Sequence, residues 1–239
     1  EKMNWRKYYG QNFLIDLRVA RKIIDISDIK PFEDVCEMGT GKGILIPYLC
    51  NSASFVKSFE VDDKLYNEIK ILQSKFKNLK IIKADLLKYR KPLNFDVFIS
   101  NIPYSKSKDI FLWLATKTVP RATIMVQDEF SQKIQSKTGD KNYRALSAII
   151  QYCFDIQPLF KVDRKSFYPQ PTVDSEVIKL TSKNNILSKD TISKIFVIFS
   201  FKNKKISKLN NKLKTNFNEI DLRVKEMKPE KIIALSKLM

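Results

Sequence analysis

The segment with the clearest chemical potential places an amide, a proline and an aromatic ring after an apolar run, as Asn101, Ile102, Pro103 and Tyr104. The Asn101 side-chain oxygen and the backbone carbonyl beside Pro103 can both accept hydrogen bonds from one NH2 group. Proline fixes its own φ, which keeps that carbonyl aimed outward, and Tyr104 can stack on the ring that carries the amine. The segment favours methylation of an exocyclic amine of a nucleobase, although a strand end closed by an Asn-x-Pro turn explains it equally well.

The elements that must position this segment alternate between strands and helices. Strand-like runs are expected at residues 34–38, 55–61, 79–83, 95–100, 122–127, 154–162 and 173–180. Helical patterns are expected at residues 16–26, with Asp16 as the N-cap, and at residues 44–50, 63–76, 107–117, 128–136 and 143–152. This alternation predicts an α/β fold with a mostly parallel, Rossmann-like sheet and helices on both faces.

The character of the chain changes near residue 184. Beyond it we find only helical periodicity, and residues 202–214 carry six lysines and no acidic residue. The sequence therefore predicts two domains, a large α/β domain over residues 1–183 and a small basic helical domain over residues 184–239.

Net charge gives a second strong indication of the partner. The chain of 239 residues carries a formal charge of +18, which suits a polyanion, most simply a nucleic acid, although lysine-rich faces are often only solvated. It has no run of about 18 uncharged apolar residues, and the first residues have no apolar signal-peptide region. We therefore expect a cytoplasmic protein without a membrane span.

The residue types that are rare or absent narrow the chemistry. The chain has no histidine, which excludes Ser-His-Asp and Cys-His catalysis and histidine metal ligands. The three cysteines are too scattered for a disulfide framework or a zinc site. We expect no metal, and catalysis must work through positioning and electrostatics.

A glycine-rich turn marks a candidate cofactor site. Gly39, Gly41 and Gly43 follow a strand and precede a helix, and their spacing differs from the dinucleotide G-x-G-x-x-G pattern and from a P-loop. Glu60 follows Gly39 by 21 residues and ends the next strand, where an acidic residue commonly binds ribose hydroxyls. Asp85 follows the third strand, where it can accept from an adenine amine. Together these residues predict a nucleoside cofactor without a diphosphate, S-adenosylmethionine, rather than NAD.

Beyond these sites, the chain resembles the small-subunit ribosomal RNA adenine dimethyltransferases of the KsgA type over roughly residues 5–212. Residues 10–14 read GQNFL, residues 101–104 read NIPY, and residues 167–175 match F-x-P-x-P-x-V-D-S, three highly specific motifs. Residues 144–147 are similar to the family's R-x-L-S stretch. Residues 199–209 resemble its F-x-x-R-R-K-x-x-x-x-L element, with lysines in place of arginines. Lysine, unlike arginine, cannot bind phosphate bidentately.

The resemblance implies a reaction and its partner. It implies transfer of two methyl groups from S-adenosylmethionine to the exocyclic amine of each target adenine in small-subunit rRNA, with a role in ribosome biogenesis. The partner would be rRNA within a small-subunit particle, and the enzyme would act as a monomer. The alternatives are a large-subunit rRNA methyltransferase of the antibiotic-resistance type, a non-catalytic RNA-binding assembly factor and a DNA adenine methyltransferase.

The resemblance also implies roles for individual residues. It gives the amine site to Asn101, Ile102, Pro103 and Tyr104, and the cofactor site to Gln11, Asn12, Leu14, Gly39, Gly41, Glu60, Asp85 and Asn101. Stacking on the target base falls to Tyr104 and Phe167, although Phe167 could equally be a core aromatic. RNA binding falls to Lys202, Lys204, Lys205 and Lys208. Because stacking uses the ring face, the sequence alone gives the Tyr104 hydroxyl no role.

Overall fold

The computed structural model describes residues 12–209, 213, 215–217 and 222–239. Within these ranges the strands are β1 (Phe13–Leu14), β2 (Asp34–Met38), β3 (Phe55–Glu60), β4 (Leu79–Lys83), β5 (Val97–Asn101), β6 (Arg121–Gln127), β7 (Phe154–Val162), β8 (Phe167–Tyr168) and β9 (Ser175–Ser182). The helices are α1 (Leu17–Ser27), α2 (Ile46–Ser52), α3 (Asp63–Ile69), α4 (Leu72–Lys75), α5 (Ser107–Ala115), α6 (Asp128–Gln135), α7 (Ala145–Cys153), α8 (Lys189–Ser200) and α9 (Pro229–Lys237).

Seven of the strands form one mixed sheet in the order β4-β3-β2-β5-β6-β9-β7. The first five in this order are parallel, and β9 runs antiparallel to β6. Helices lie on both sides, so the predicted Rossmann-like fold is confirmed. Because parallel strands leave their carboxyl ends at one sheet edge, Met38, Glu60 and Asn101 end β2, β3 and β5 at the same edge.

The sheet core follows from the apolar sequence of its central strands. Val35, Cys36, Val97, Phe98 and Ile99 are fully buried, as expected for parallel strands covered on both faces. The β2 and β4 bounds match the predicted runs at both ends. The single helix predicted over residues 63–76 is instead two helices, α3 and α4. Within α4, the amides of Gln73 and Ser74 bond to the carbonyls of residues 70 and 71, three residues back, which tightens and interrupts the helical ladder.

Two local side-chain contacts support the start of α1 and the start of β6. Asp16 caps α1 by accepting from the Arg18 amide, as the sequence predicts. At the start of β6, the Arg121 guanidinium donates to both carboxylate oxygens of Glu33, at 2.6 and 2.5 Å. The Arg121 hydrogen bonds lower the pKa of Glu33.

The strands β1 and β8 form a separate two-stranded antiparallel sheet, in which Phe13 lies opposite Tyr168 and Leu14 opposite Phe167. No pattern in the sequence predicts this pair. A strand of two residues is too short for an alternating pattern to be recognised.

Backbone contacts divide the chain into two compact units. The first comprises the described part of residues 1–109 with residues 119–128 and 157–181. The second comprises residues 110–118, 129–156 and the described part of 182–239. Within the second unit, the fully buried Tyr143 packs edge-to-face on Phe199, with ring centroids 5.6 Å apart, and its hydroxyl donates to the Met227 carbonyl. The predicted domain boundary at residues 183 and 184 stays a prediction.

No helix in the described ranges is both long enough and apolar enough to cross a membrane.

Candidate cofactor and amine site

The glycine-rich turn begins where β2 ends at Met38. Gly39, Gly41 and Gly43 have φ angles of 78°, 57° and 74°, in the left-handed region that disfavours side chains. At Gly43 an added Cβ would also lie 2.9 Å from the Leu72 Cδ1 atom, the end of a flexible side chain that would have to shift, so this position favours glycine mainly for its backbone conformation.

A buried hydrogen-bond network ties the turn to β3. The amides of Gly39 and Thr40 donate to the Phe59 carbonyl, at 2.9 and 3.2 Å. The Thr40 hydroxyl contacts that of Ser58, and Ser58 in turn donates to the Glu37 carboxylate. Glu37 is 2% exposed. Burial, with the nearby charge of Glu60, raises the pKa of Glu37 to about 7.

Glu60 ends β3 with both carboxylate oxygens engaged. Its Oε2 atom accepts from the Gly41 amide at 2.8 Å, and its Oε1 atom accepts from the amides of Val61 and Asp62, both at 2.9 Å. Burial raises the pKa of Glu60. A carboxylate has about four acceptor positions, so one remains on Oε2 for a ligand hydroxyl.

A cleft opens beside the turn, with an empty volume of about 620 Å³ including open solvent. It is lined by Asn12, Phe13 and Leu14, by the glycine turn with Glu37 and Glu60, and by residues 101–104. All the described residues predicted to hold the cofactor except Asp85, together with those predicted to hold the amine, therefore line one cleft in the first unit.

Asn101 is the last residue of β5 and is partly exposed. Across the described residues, its side-chain amide has no hydrogen-bond partner, so both amide groups are available to a ligand. A Cβ on Gly39 would lie 3.9 Å from the Asn101 carbonyl oxygen, which shows how closely the turn approaches this strand end. Ile102 is buried, and Pro103 has φ −59° and ψ 126°.

Tyr104 follows at the start of a short 3-10 helix over Tyr104–Lys106. Its half-buried hydroxyl lies 2.7 Å from the Ser175 hydroxyl. Burial raises the pKa of Tyr104, so the phenol stays protonated. Sequence reasoning missed this contact, although Ser175 belongs to the F-x-P-x-P-x-V-D-S motif that it singled out.

Two of the described residues predicted for the site, Asp85 and Phe167, are not among those that line the cleft. Asp85 follows β4, where it accepts from the Leu87 amide at 3.0 Å, and it is not among the described residues that line the cleft. Phe167 is 2% exposed and packs in the hydrophobic core, while the neighbouring Tyr168 is 51% exposed. Base stacking by Phe167 stays a prediction. Gln11 lies outside the described residues.

The predicted RNA-binding lysines lie in the second unit. Lys204, Lys205 and Lys208 are exposed, and Lys202 is half-buried. Partial burial, with the positive charges of Arg144 and Lys225, lowers the pKa of Lys202. These groups form a local concentration of positive charge, which suits a phosphate-bearing ligand.

In the described part of the chain, no group of three or more cysteine, aspartate and glutamate side chains is placed to hold a metal ion.

A mixed sheet of this strand order, with a glycine turn after its first parallel strand, is the architecture of the Rossmann-like methyltransferases that use S-adenosylmethionine. The turn and the remaining acceptor position of Glu60 fit that cofactor. More narrowly, the family model described as "Ribosomal RNA adenine dimethylase" matches residues 2–234, and the chain belongs to this family. The protein is therefore an rRNA adenine dimethyltransferase.

Relatives and solved structures agree with this assignment. The chain is 38% identical over 222 residues to the ribosomal RNA small subunit methyltransferase A of Aster yellows witches'-broom phytoplasma, covering 86% of this chain and 80% of the relative. It is 36% identical to the protein of that name from Mycoplasmopsis pulmonis, over 91% and 86% of the two chains.

Two solved structures are also similar. A dimethyladenosine transferase from Plasmodium falciparum superposes with a TM-score of 0.82 at 25% identity, over 93% of this chain and 95% of that one. The 23S rRNA methyltransferase ErmE gives a TM-score of 0.69 at 25% identity, over 95% and 98% of the chains.

Proposed function

We propose that this protein dimethylates the exocyclic amine of adenines in small-subunit rRNA and thereby takes part in ribosome biogenesis, with residues 101–104 as its amine-binding segment. One observation carries the proposal. The unpartnered amide of Asn101 lines the same cleft as the glycine turn and Glu60. The cleft can therefore place a nucleobase amine beside a nucleoside cofactor.

The chemistry assigned to this cleft is positioning catalysis. When bound, S-adenosylmethionine supplies an electrophilic methyl group. Asn101 accepts one hydrogen bond from the adenine NH2 group. The Pro103 carbonyl already accepts from the Lys106 amide at 2.8 Å, which favours the Ile102 carbonyl as the second acceptor. Two such acceptors favour a pyramidal nitrogen whose lone pair is directed at the methyl group.

A general base is not required before transfer. The amine proton becomes acidic only once nitrogen has gained the methyl group, and it can then pass to water. The absence of histidine is therefore compatible with the reaction.

For the cofactor, we assign the ribose hydroxyls to Glu60 and the methionine part to Asn12 and Leu14, which line the cleft. The three backbone amides that bond Glu60 hold its carboxylate in place before any ligand binds. We also assign the methionine part of the cofactor to Gln11 and the amine of the cofactor's adenine to Asp85.

Incorporation of labelled methyl groups tests the proposed substrate. The protein is incubated with labelled S-adenosylmethionine and, in parallel, small subunits lacking the modification, large subunits and naked DNA. We expect dimethyladenosine in digests of small-subunit rRNA only. Label confined to large subunits or DNA would overturn the proposal, and no label on any substrate would favour the non-catalytic assembly factor.

Large-subunit rRNA is the second candidate substrate, because the fold is also similar to ErmE, which is named as a 23S rRNA methyltransferase. The matches to this chain cover more than two thirds of the length of the relatives named as small-subunit enzymes, and these matches support the first candidate. We further propose a cytoplasmic, monomeric enzyme, since its substrate is ribosomal. Size-exclusion chromatography of the free protein checks the monomer.

We also propose that the exposed lysines of the second unit contact rRNA phosphates. Replacing Lys204, Lys205 and Lys208 by glutamine should flatten the slope of log affinity against log salt by roughly 2–3. A triple substitution of Lys75, Lys77 and Lys80, which are equally exposed in the first unit, is the matched control. Equal slopes for the two triple variants would mean that the first set is only solvated.

A further inference from the structure

The hydrogen bond between Tyr104 and Ser175 has no role in the reaction as described so far. Stacking on a base uses the ring face of Tyr104, whereas the contact with Ser175 uses the hydroxyl, at 2.7 Å. Ser175 is completely buried, and Tyr104 lines the cleft. A buried serine therefore contacts the edge of the ring that is expected to meet the substrate.

Ser175 is held by the sheet. It is the first residue of β9 and lies opposite Gln127 of β6 in the antiparallel register. The preceding residue, Asp174, accepts from the Asp128 amide through its carbonyl at 3.1 Å and from the Arg164 amide through its carboxylate at 2.9 Å. The Ser175 hydroxyl is thus presented from a backbone that is fixed on both sides.

The other end of Tyr104 is fixed as well. The Ser107 hydroxyl donates to the Tyr104 carbonyl at 3.0 Å, and Ser107 is buried at the start of α5. The ring torsion of a tyrosine has a broad minimum, so the backbone alone does not set the plane of the ring. A hydrogen bond at the hydroxyl supplies this missing restraint.

We propose that Ser175 is a positioning residue for methyl transfer, which holds the Tyr104 ring, through its hydroxyl, in the plane on which the target adenine stacks. This inference rests on the proposed function, since it requires a base in the cleft. Ser175 itself touches no substrate. It links the segment that follows β8 to the amine-binding segment, two stretches 71 residues apart in the chain.

Single-turnover methylation of small subunits at saturating cofactor tests this proposal. Tyr104→Phe and Ser175→Ala should each lower the maximal rate about three- to tenfold, the effect of one lost hydrogen bond. The affinity for S-adenosylmethionine and the half-saturating RNA concentration should change less than twofold. The double variant should be no slower than either single variant, because both substitutions remove one interaction.

Ser27→Ala is the matched control for loss of a buried hydroxyl. Ser27 is also fully buried, and its hydroxyl donates to the Ile23 carbonyl within α1, away from the cleft. It should lower the thermal unfolding midpoint without changing the rate. If Ser175→Ala, like Ser27→Ala, lowers the unfolding midpoint without lowering the rate, the role of Ser175 is structural and the proposal is wrong.

The outcomes separate this inference from the function on which it rests. The inference alone is overturned if the wild-type protein transfers methyl groups and the Tyr104→Phe variant is as fast. It is also overturned if the rate losses of the two single variants add up in the double variant. Absence of transfer to any rRNA by the wild-type protein overturns the proposed function. If Ser175→Ala does not fold, Tyr104→Phe tests the proposal instead, because Tyr104 is partly exposed. Its rate and its unfolding midpoint are then measured together.

Discussion

The two halves of the cleft satisfy their polar groups in opposite ways. On the cofactor side, Glu37 and Glu60 are buried and already hydrogen-bonded, to Ser58 and to three backbone amides. On the amine side, the Asn101 amide is partly exposed and has no partner among the described residues. The cofactor side is thus built before ligand binding, whereas the amine side keeps its hydrogen-bonding capacity for the substrate.

This difference separates stability from activity. A residue that is bonded within the protein should affect folding when it is removed, and a residue that is reserved for the ligand should not. Substitutions on the two sides of the cleft should therefore differ in whether they change the rate, the free energy of unfolding or both.

The largest effect is expected at Asn101. Asn101→Ala should lower the maximal methylation rate by about 10²-fold or more, since a preorganised polar partner of the reacting amine is lost. The thermal unfolding midpoint should stay within about 1 °C, because no internal hydrogen bond is broken. Single-turnover kinetics and calorimetry measure the two quantities. Asn94→Ala, an exposed asparagine ahead of β5, is the control and should change neither.

Glu37 should make stability depend on pH. Its pKa is raised from 4.5 to about 7, so the native state binds a proton that the unfolded chain releases between these values. Stability is then greatest below pH 4.5 as far as Glu37 is concerned, and it falls as pH rises through about 7, by up to about 3 kcal/mol. Glu37→Gln should flatten the pH dependence of the unfolding free energy in urea over this window. Equal slopes in both proteins would show that Glu37 is not the group responsible.

Removing the Glu60 carboxylate should affect both binding and folding. Glu60→Ala leaves three backbone amides without their acceptor, so cofactor affinity should fall by about 1–3 kcal/mol and the unfolding midpoint should drop with it. Isothermal titration calorimetry and thermal unfolding report the two effects. If affinity falls while the midpoint stays constant, Glu60 behaves like Asn101, and the contrast between the two sides of the cleft is lost.

The smallest effect is expected at the glycine turn. Gly43→Ala places a side chain at φ 74° and a Cβ 2.9 Å from Leu72, which should cost about 1–2 kcal/mol of stability in urea unfolding. Gly139→Ala is a matched control, because Gly139 has φ 93° and an added Cβ there meets no atom within 4 Å. Gly43→Ala should cost at least as much as Gly139→Ala, and a smaller cost would show that Leu72 moves aside freely.

Much of the fold could be predicted from sequence because its signals are local. In β2, Val35, Cys36 and Met38 are apolar and the run ends at the first glycine, so both of its ends are marked in the sequence. The same holds for the Asp16 cap of α1. The break between α3 and α4 could not be predicted, because residues 63–76 have a helical pattern throughout and the interruption lies in the backbone bonding of residues 73 and 74.

The site was predictable only in part, for a related physical reason. Glycine spacing and polar residues at strand ends show where a ligand can approach. The sequence could therefore identify the glycine turn, Glu60 and Asn101, which line one cleft. The partner of the Tyr104 hydroxyl depends on how distant strands pair, and neither Tyr104 nor Ser175 carries that information locally. For Phe167, an aromatic residue in a motif is compatible with core packing and with stacking, and the sequence could not distinguish burial from exposure.

The short β1–β8 pair has a consequence for how the cleft opens. Its two strands contribute only two residues each and run antiparallel, with the Ile15 amide donating to the Ser166 carbonyl beside them at 2.8 Å. A sheet of this size has little stability of its own. We expect its amide protons to exchange with solvent through local opening, well before those of β2, which lies between β3 and β5. Since β1 also lines the cleft, we expect local opening of this pair to reach the cleft while the large sheet stays intact.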